Sequence, residues 1–169
     1  MKLPVIIQGG MGVAISDWQL ARAVSKIGQL GVVSSTAISR IFTSRLSDGD
    51  SGGHIRRALS VFPFQETVER ILKRYYIPGG KASGTPYKSQ PVYTIQPSQF
   101  LDRLTVIANF TEVFLAKEAH SGVVGINLLE KIQMPNLASL YGALLAGVDY
   151  VLMGAGIPTQ IALILDKLA

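Results

Sequence analysis

The chain has 169 residues, 48% of them hydrophobic and 16% charged, with a formal net charge of +5. That length suffices for one core-bearing domain. Its lack of cysteine excludes disulfides and thiolate chemistry and makes a cytoplasmic setting the expectation. No run approaches the roughly 20 apolar residues of a membrane span, and the first residues lack a signal-peptide pattern. His54 and His120 are the two histidines, far apart and without a local ligand motif, so no metal site is expected.

The charge is uneven. Residues 40 to 90 hold nine Lys/Arg and four Asp/Glu, and the rest of the chain balances at seven against seven. A solvated face explains such a segment; so does a docking patch for an acidic partner.

Pro4-Val5-Ile6-Ile7 reads as a buried strand that ends at Gln8 and enters a turn of Gly9, Gly10, Met11 and Gly12. Glycines there let the backbone turn sharply and let another molecule approach the main chain. Ser16-x-x-Gln19 has the form of a capping box, and Leu20, Val24 and Ile27 follow at helical spacing up to Gly28. Leu30 to Ser35 reads as a second buried strand, so the chain opens with a βαβ unit.

Residues 38 to 97 interrupt the rhythm. A short amphipathic helix over Phe64 to Tyr75 is expected inside an otherwise loose insertion or lid. Its tyrosines lie among Arg and Lys, yet no nucleic-acid-binding pattern accompanies them, so no nucleic-acid partner is expected. Ser98 then caps a helix to about residue 120, with Leu101, Leu104, Ala108, Thr111 and Leu115 on one face. Val123 to Asn127 is a third strand. A helix follows from Pro135, carrying Leu137, Leu140, Tyr141, Leu144 and Leu145, and Gly147 closes it. Tyr150 to Met153 is a fourth strand, and Pro158 opens a last helix.

Four βα units in a row with apolar strands predict an α/β fold of parallel strands. It is either an open doubly wound sheet or half of an eight-fold barrel, in one domain over 1–169. Gln8, Ser34 or Ser35, Asn127 and Met153-Gly154 fall at the carboxyl ends of the strands, where such folds bind ligands. They are neutral amides, hydroxyls and main chain, with no His, Glu or Lys base among them. That set suits holding a flat polar heterocycle whose own chemistry transfers electrons. Met11, inside the glycine turn, is read as a ligand contact. His120 lies near a helix carboxyl end, where a cation interacts well with the helix dipole.

Pro4 to Gly12, Leu30 to Ser34, Val124 to Asn127, Ala116 to His120 with its continuation to Gln133, and Tyr141 to Pro158 resemble the flavin-dependent nitronate monooxygenases, formerly 2-nitropropane dioxygenases. These are related to the FMN-dependent enoyl-ACP reductases. The resemblance covers both ends of the chain, not the basic insertion. It implies a TIM barrel with FMN at its mouth. The reaction it implies is oxidation of alkyl nitronates with O2 or, in the alternative, reduction of an enoyl thioester carried by acyl carrier protein. The flavin contacts it implies fall on Gln8, Gly9, Gly10, Met11 and Asn127. The family's phosphate-binding glycines and catalytic histidine lie in the second half of the barrel and have no counterpart here. The chain thus reads as an N-terminal half, whose open edges invite pairing with a C-terminal half or a second copy. A non-catalytic truncated barrel is the further alternative.

Overall fold

The computed structural model describes residues 3–96 and 98–168. Three strands, β1 (Gly31–Ser34), β2 (Val124–Leu129) and β3 (Tyr150–Gly154), form a parallel sheet in the order β1-β2-β3. The register sets Ser34 beside Asn127 and Asn127 beside Leu152. The strands alternate faces. Val33, Val124, Ile126 and Leu128 enter a core against the helices. Val32, Gly125, Asn127 and Leu152 therefore point to the opposite face, where a Cβ on Gly125 would meet Val32 and Leu152, each at 3.1 Å.

Residues 4–8 run beside β1 without forming a strand. A parallel bridge joins Ile7 to Leu30. Gln8 N–H donates to Leu30 O (3.0 Å), Leu30 N–H donates to Ile6 O (3.1 Å), and the Gln29 side-chain oxygen accepts from Val5 and Ile6. Val5, Ile6 and Ile7 are exposed, which corrects the expectation of a buried strand. The segment lies at the sheet edge, with no described strand beyond it to cover these side chains.

Helix α1 (Trp18–Lys26) is capped by Asp17, whose carboxylate accepts from the N–H groups of Gln19 (3.0 Å) and Leu20 (3.1 Å). The expected capping box at Ser16 is not formed. A carboxylate at the cap satisfies both the free N–H groups and the helix dipole, and Ser16 is engaged elsewhere. The buried face of α1 is Trp18, Ala21 and Ser25, not Leu20, Val24 and Ile27. Gly31 explains the rotation: a Cβ there would stand 1.9 Å from Ala21 O. Helix and strand meet backbone to backbone, so only small side chains fit between them.

The segment expected to be loose is largely helical. Helices α2 (Ile38–Ser47), α3 (His54–Ser60) and α4 (Gln65–Tyr75) follow one another, with a 3-10 turn at Ser51–Gly53. They build a second core of Phe42, Leu46, Leu59, Ile71 and Tyr75 against Leu104, Ile107 and Phe110. Short joints at 48–50 and 61–64 link these helices, and the long stretch without regular structure is 76–96. The overlooked signal is the i, i+4 spacing of Phe42 with Leu46 and of Ile55 with Leu59.

Helix α5 (Gln99–Lys117) joins the two cores and is capped by Ser98, which accepts from Leu101 N–H at 3.2 Å. Below its end, His120 Nδ1 accepts from Gly122 N–H (3.0 Å) and Nε2 faces Ala116 O (2.6 Å). These two contacts tie the ring to the carboxyl end of α5. Helix α6 (Asn136–Leu145) lies on α5 through Ala138, Gly142 and Ala143. Of the apolar stripe expected for it, Leu140 is buried, whereas Leu137, Leu144 and Leu145 are exposed. Helix α7 (Ile161–Leu168) ends the described chain, and among the described residues no helix is long and apolar enough to cross a membrane.

Candidate functional site

The glycine turn after residue 8 lies over the carboxyl ends of β1 and β2. Two amides anchor it. Gln8 accepts at Oε1 from Val32 N–H (2.8 Å) and donates from Nε2 to Ser16 Oγ (3.1 Å). Asn127 donates from Nδ2 to Gly9 O (2.7 Å). Ser16 Oγ also accepts from Gly12 N–H (3.2 Å), and Ser16 O accepts from Ser34 N–H (2.8 Å). The turn is thus tied to both strands by side chains from three separate stretches.

Gly10 is what lets the turn sit so close. Its φ is +68°, and a Cβ there would stand 2.5 Å from Val32 Cγ1 and 3.0 Å from Asn127 Cβ. No side chain fits, and the backbone conformation itself favours glycine. The N–H groups of Gly9, Gly10 and Met11 find no acceptor among the described residues. Met11 projects into solvent, 69% exposed.

The five residues singled out from the sequence therefore gather in one place, in two roles. Gln8, through both groups of its amide, and Asn127, through Nδ2, position the turn. Gly9 and Met11 are exposed, Gly10 is buried against the strands, and the N–H groups of all three are unclaimed among the described residues. A sixth group completes the place. Ser34 is buried at the end of β1, beside Asn127 in the register, and its Oγ has no hydrogen-bond partner. A buried hydroxyl without a partner is costly and requires an explanation. Gly154, at the end of β3, leaves Asn127 Oδ1 uncrowded: a Cβ there would stay 3.6 Å away. The sequence missed Ser16 as an anchor because its spacing to Gln19 mimics a cap.

A recess opens past the carboxyl ends of β1 and β2. It encloses about 270 Å³ between the β1–α2 connection, the end of β2 and the start of α6. Tyr93, from the irregular segment, forms one wall and donates to Thr105 Oγ1 at 2.8 Å. Burial pushes the Tyr93 phenol up to about 12. Its ordinary value is about 10, so folding favours the protonated form. That stabilisation is complete below pH about 10 and fades as the pH rises toward the folded value. Tyr93→Phe should cost about 1 kcal/mol at neutral pH through the lost hydrogen bond. It should also flatten the alkaline fall in melting temperature; an unchanged fall would show that Tyr93 is not its source.

Most cations of the basic segment are already engaged. Arg45 pairs with Asp17 (3.2 Å) and Glu112, Arg56 with Asp50 (3.1 Å), and Arg57 with Glu118 (2.8 Å). Arg74 lies over the Tyr75 and Phe100 rings, and Lys81 over Tyr87. Among the described residues no group of three His, Asp or Glu is placed to hold a metal ion.

Comparisons with family models, with curated proteins and with solved structures each find no match to the chain.

Proposed function

We propose that the chain forms the isoalloxazine side of an FMN site in an oxidoreductase of the nitronate monooxygenase type. In this reading the sheet, with residues 4–8 along its edge, is the first half of a parallel eight-stranded barrel. The support for it is the main-chain cradle at the strand tips. Three unclaimed N–H groups, a glycine that tolerates no side chain, and an orphaned buried hydroxyl converge there.

These residues fit a flat ring better than a phosphate or a metal. Donors at Gly9, Gly10 and Met11 suit the ring's carbonyl and imine acceptors. Bound FMN would supply electron transfer between a carbon acid and O2. The chain's own work is positioning: Gln8 and Asn127 hold the donors at fixed height, so no reorganisation is needed as negative charge builds on the ring. Met11 would lie against it, excluding water.

Titration of the chain with FMN, followed by flavin fluorescence, tests this. Saturable quenching is expected, weakened about tenfold by Asn127→Ala, which frees Gly9 O from its anchor at a cost near 1.4 kcal/mol. Gly10→Val should abolish it. Absence of quenching with the unaltered chain, or full quenching by Gly10→Val in a folded protein, defeats the reading. NADPH oxidation with an enoyl thioester, set against nitronate-dependent oxygen uptake, separates the acyl-carrier alternative.

Exposed Val5, Ile6 and Ile7 along an incompletely paired edge favour a second reading, a half barrel that pairs with another half. Light scattering decides it: a cofactor-free dimer supports pairing, and a monomer in which Ile6→Lys changes nothing removes it.

A further inference from the structure

We infer that the recess between the amino ends of α2 and α6 binds a small organic monoanion, a carboxylate with a short alkyl chain. The inference stands apart from the flavin reading and survives its failure.

Two ten-residue helices begin at this one cavity. Neither has a side-chain cap: α2 starts from Ala37 in a left-handed conformation, and α6 starts from Pro135. The first-turn N–H groups of Ser39, Leu137 and Ala138 meet no acceptor among the described residues. Each helix start carries a partial positive charge, and two starts sharing one space reinforce each other.

The side chains of the wall supply the independent observation. Asn136 is 5% exposed and Ser139 1% exposed, and both line the cavity. No hydrogen bond joins either side chain to another described residue. Polar groups at such enclosed residues are ordinarily paired with protein or water. Here they face a space that a ligand can fill.

The cavity's composition selects the ligand. No Asp, Glu, Lys or Arg lines it. The field of the helix starts is therefore unopposed, while no cation is present to balance a second negative charge. That favours a monoanion over a phosphate dianion. Ile38, Leu128, Leu129 and Ile132 make the remaining wall apolar, which suits an alkyl chain. A volume of about 270 Å³ lies just below the usual range of small-molecule pockets, so the ligand is of fragment size. Tyr93, kept neutral by burial, adds no repelling charge.

Titration of the 15N-labelled chain with sodium butyrate, against butyramide at matched ionic strength, provides the test. Saturable millimolar shifts are expected at the amides of Ser39, Leu137 and Ala138, with butyramide weaker by about tenfold. Asn136→Ala and Leu137→Pro should each weaken butyrate several-fold; the proline removes one N–H where a first helical turn tolerates it. If the proline variant does not fold, Asn136→Ala decides. Equal affinity for butyramide, shifts gathered at another surface, no saturation, or unchanged affinity in Asn136→Ala would each overturn the proposal.

Discussion

Arg45→Ala is expected to cost about 3 kcal/mol of unfolding free energy at neutral pH. Glu112 is a carboxylate in the interior of α5, 4% exposed at its side chain. Two groups justify it there. Trp18 N–H, at the start of α1, donates to Oε2 at 2.8 Å, and the Arg45 guanidinium donates to Oε1. Arg45 also reaches Asp17 on the cap of α1, so one cation ties α1, α2 and α5 together. Burial raises the Glu112 pKa, and Arg45 opposes that rise. Without Arg45 the rise is larger, and the variant holds its proton to higher pH.

A carboxyl whose folded pKa lies above its unfolded value contributes stability that is present at low pH and lost as the pH rises through the folded value. The deficit of Arg45→Ala should therefore be small near pH 5 and grow toward pH 8, as read by urea unfolding at both. Arg45→Met combined with Glu112→Gln should recover most of the loss, because the amide oxygen still serves Trp18 N–H and no charge remains buried. An equal deficit at both pH values would mean that Arg45 acts by packing alone.

Gly142→Ala should destabilise the chain by about 2 to 3 kcal/mol, against the trend of helix propensity. In an open helix the change would favour folding by about 1 kcal/mol. Here the added Cβ would stand 2.1 Å from Val106 O and 2.9 Å from Val106 C. Those are backbone atoms of α5, unable to move alone, so α6 must lift and uncover Ala138 and Ala143. Gly147→Ala is the control. Nothing lies within 4 Å of a Cβ there, but φ is +72°, so about 1 kcal/mol of conformational cost is expected. If urea midpoints show Gly142→Ala to be no worse than Gly147→Ala, the two helices do not approach as closely as described.

These expectations mark where the sequence stops being readable. The cap at Ser98, the end of α1 before Gly28, the apolar runs of β1, β2 and β3, and the helix after Pro135 all stand as their local signals predict. Such features depend on a residue and its nearest neighbours. Helices α2 and α3 escaped notice because glycine, serine and aspartate around 47 to 53 dominate the composition there. The structure uses them as tight joints, with Asp50 accepting from Ile55 and Arg56 N–H at 2.9 and 3.0 Å.

The candidate site divides in the same way. That Gln8, Gly9, Gly10, Met11 and Asn127 meet follows from parallel strands ending together. What each does was not legible: the amides of Gln8 and Asn127 are committed to Val32, Ser16 and Gly9, groups that no local pattern links.

The sequence by itself determined α1, α4, α5, α6 and the three strands and where most of them stop, because hydrogen bonding within an element is set by residues a few positions apart. Only the tertiary structure decided which face of each helix turns inward. Backbones that touch at Gly31 and Gly142 admit only small neighbours at the contact, so α1 and α6 bury alanine, serine and glycine there beside Trp18 and Leu140 and leave Leu20, Leu137, Leu144 and Leu145 outside. Contact distance between remote segments, and not the hydrophobicity of either one, made that choice.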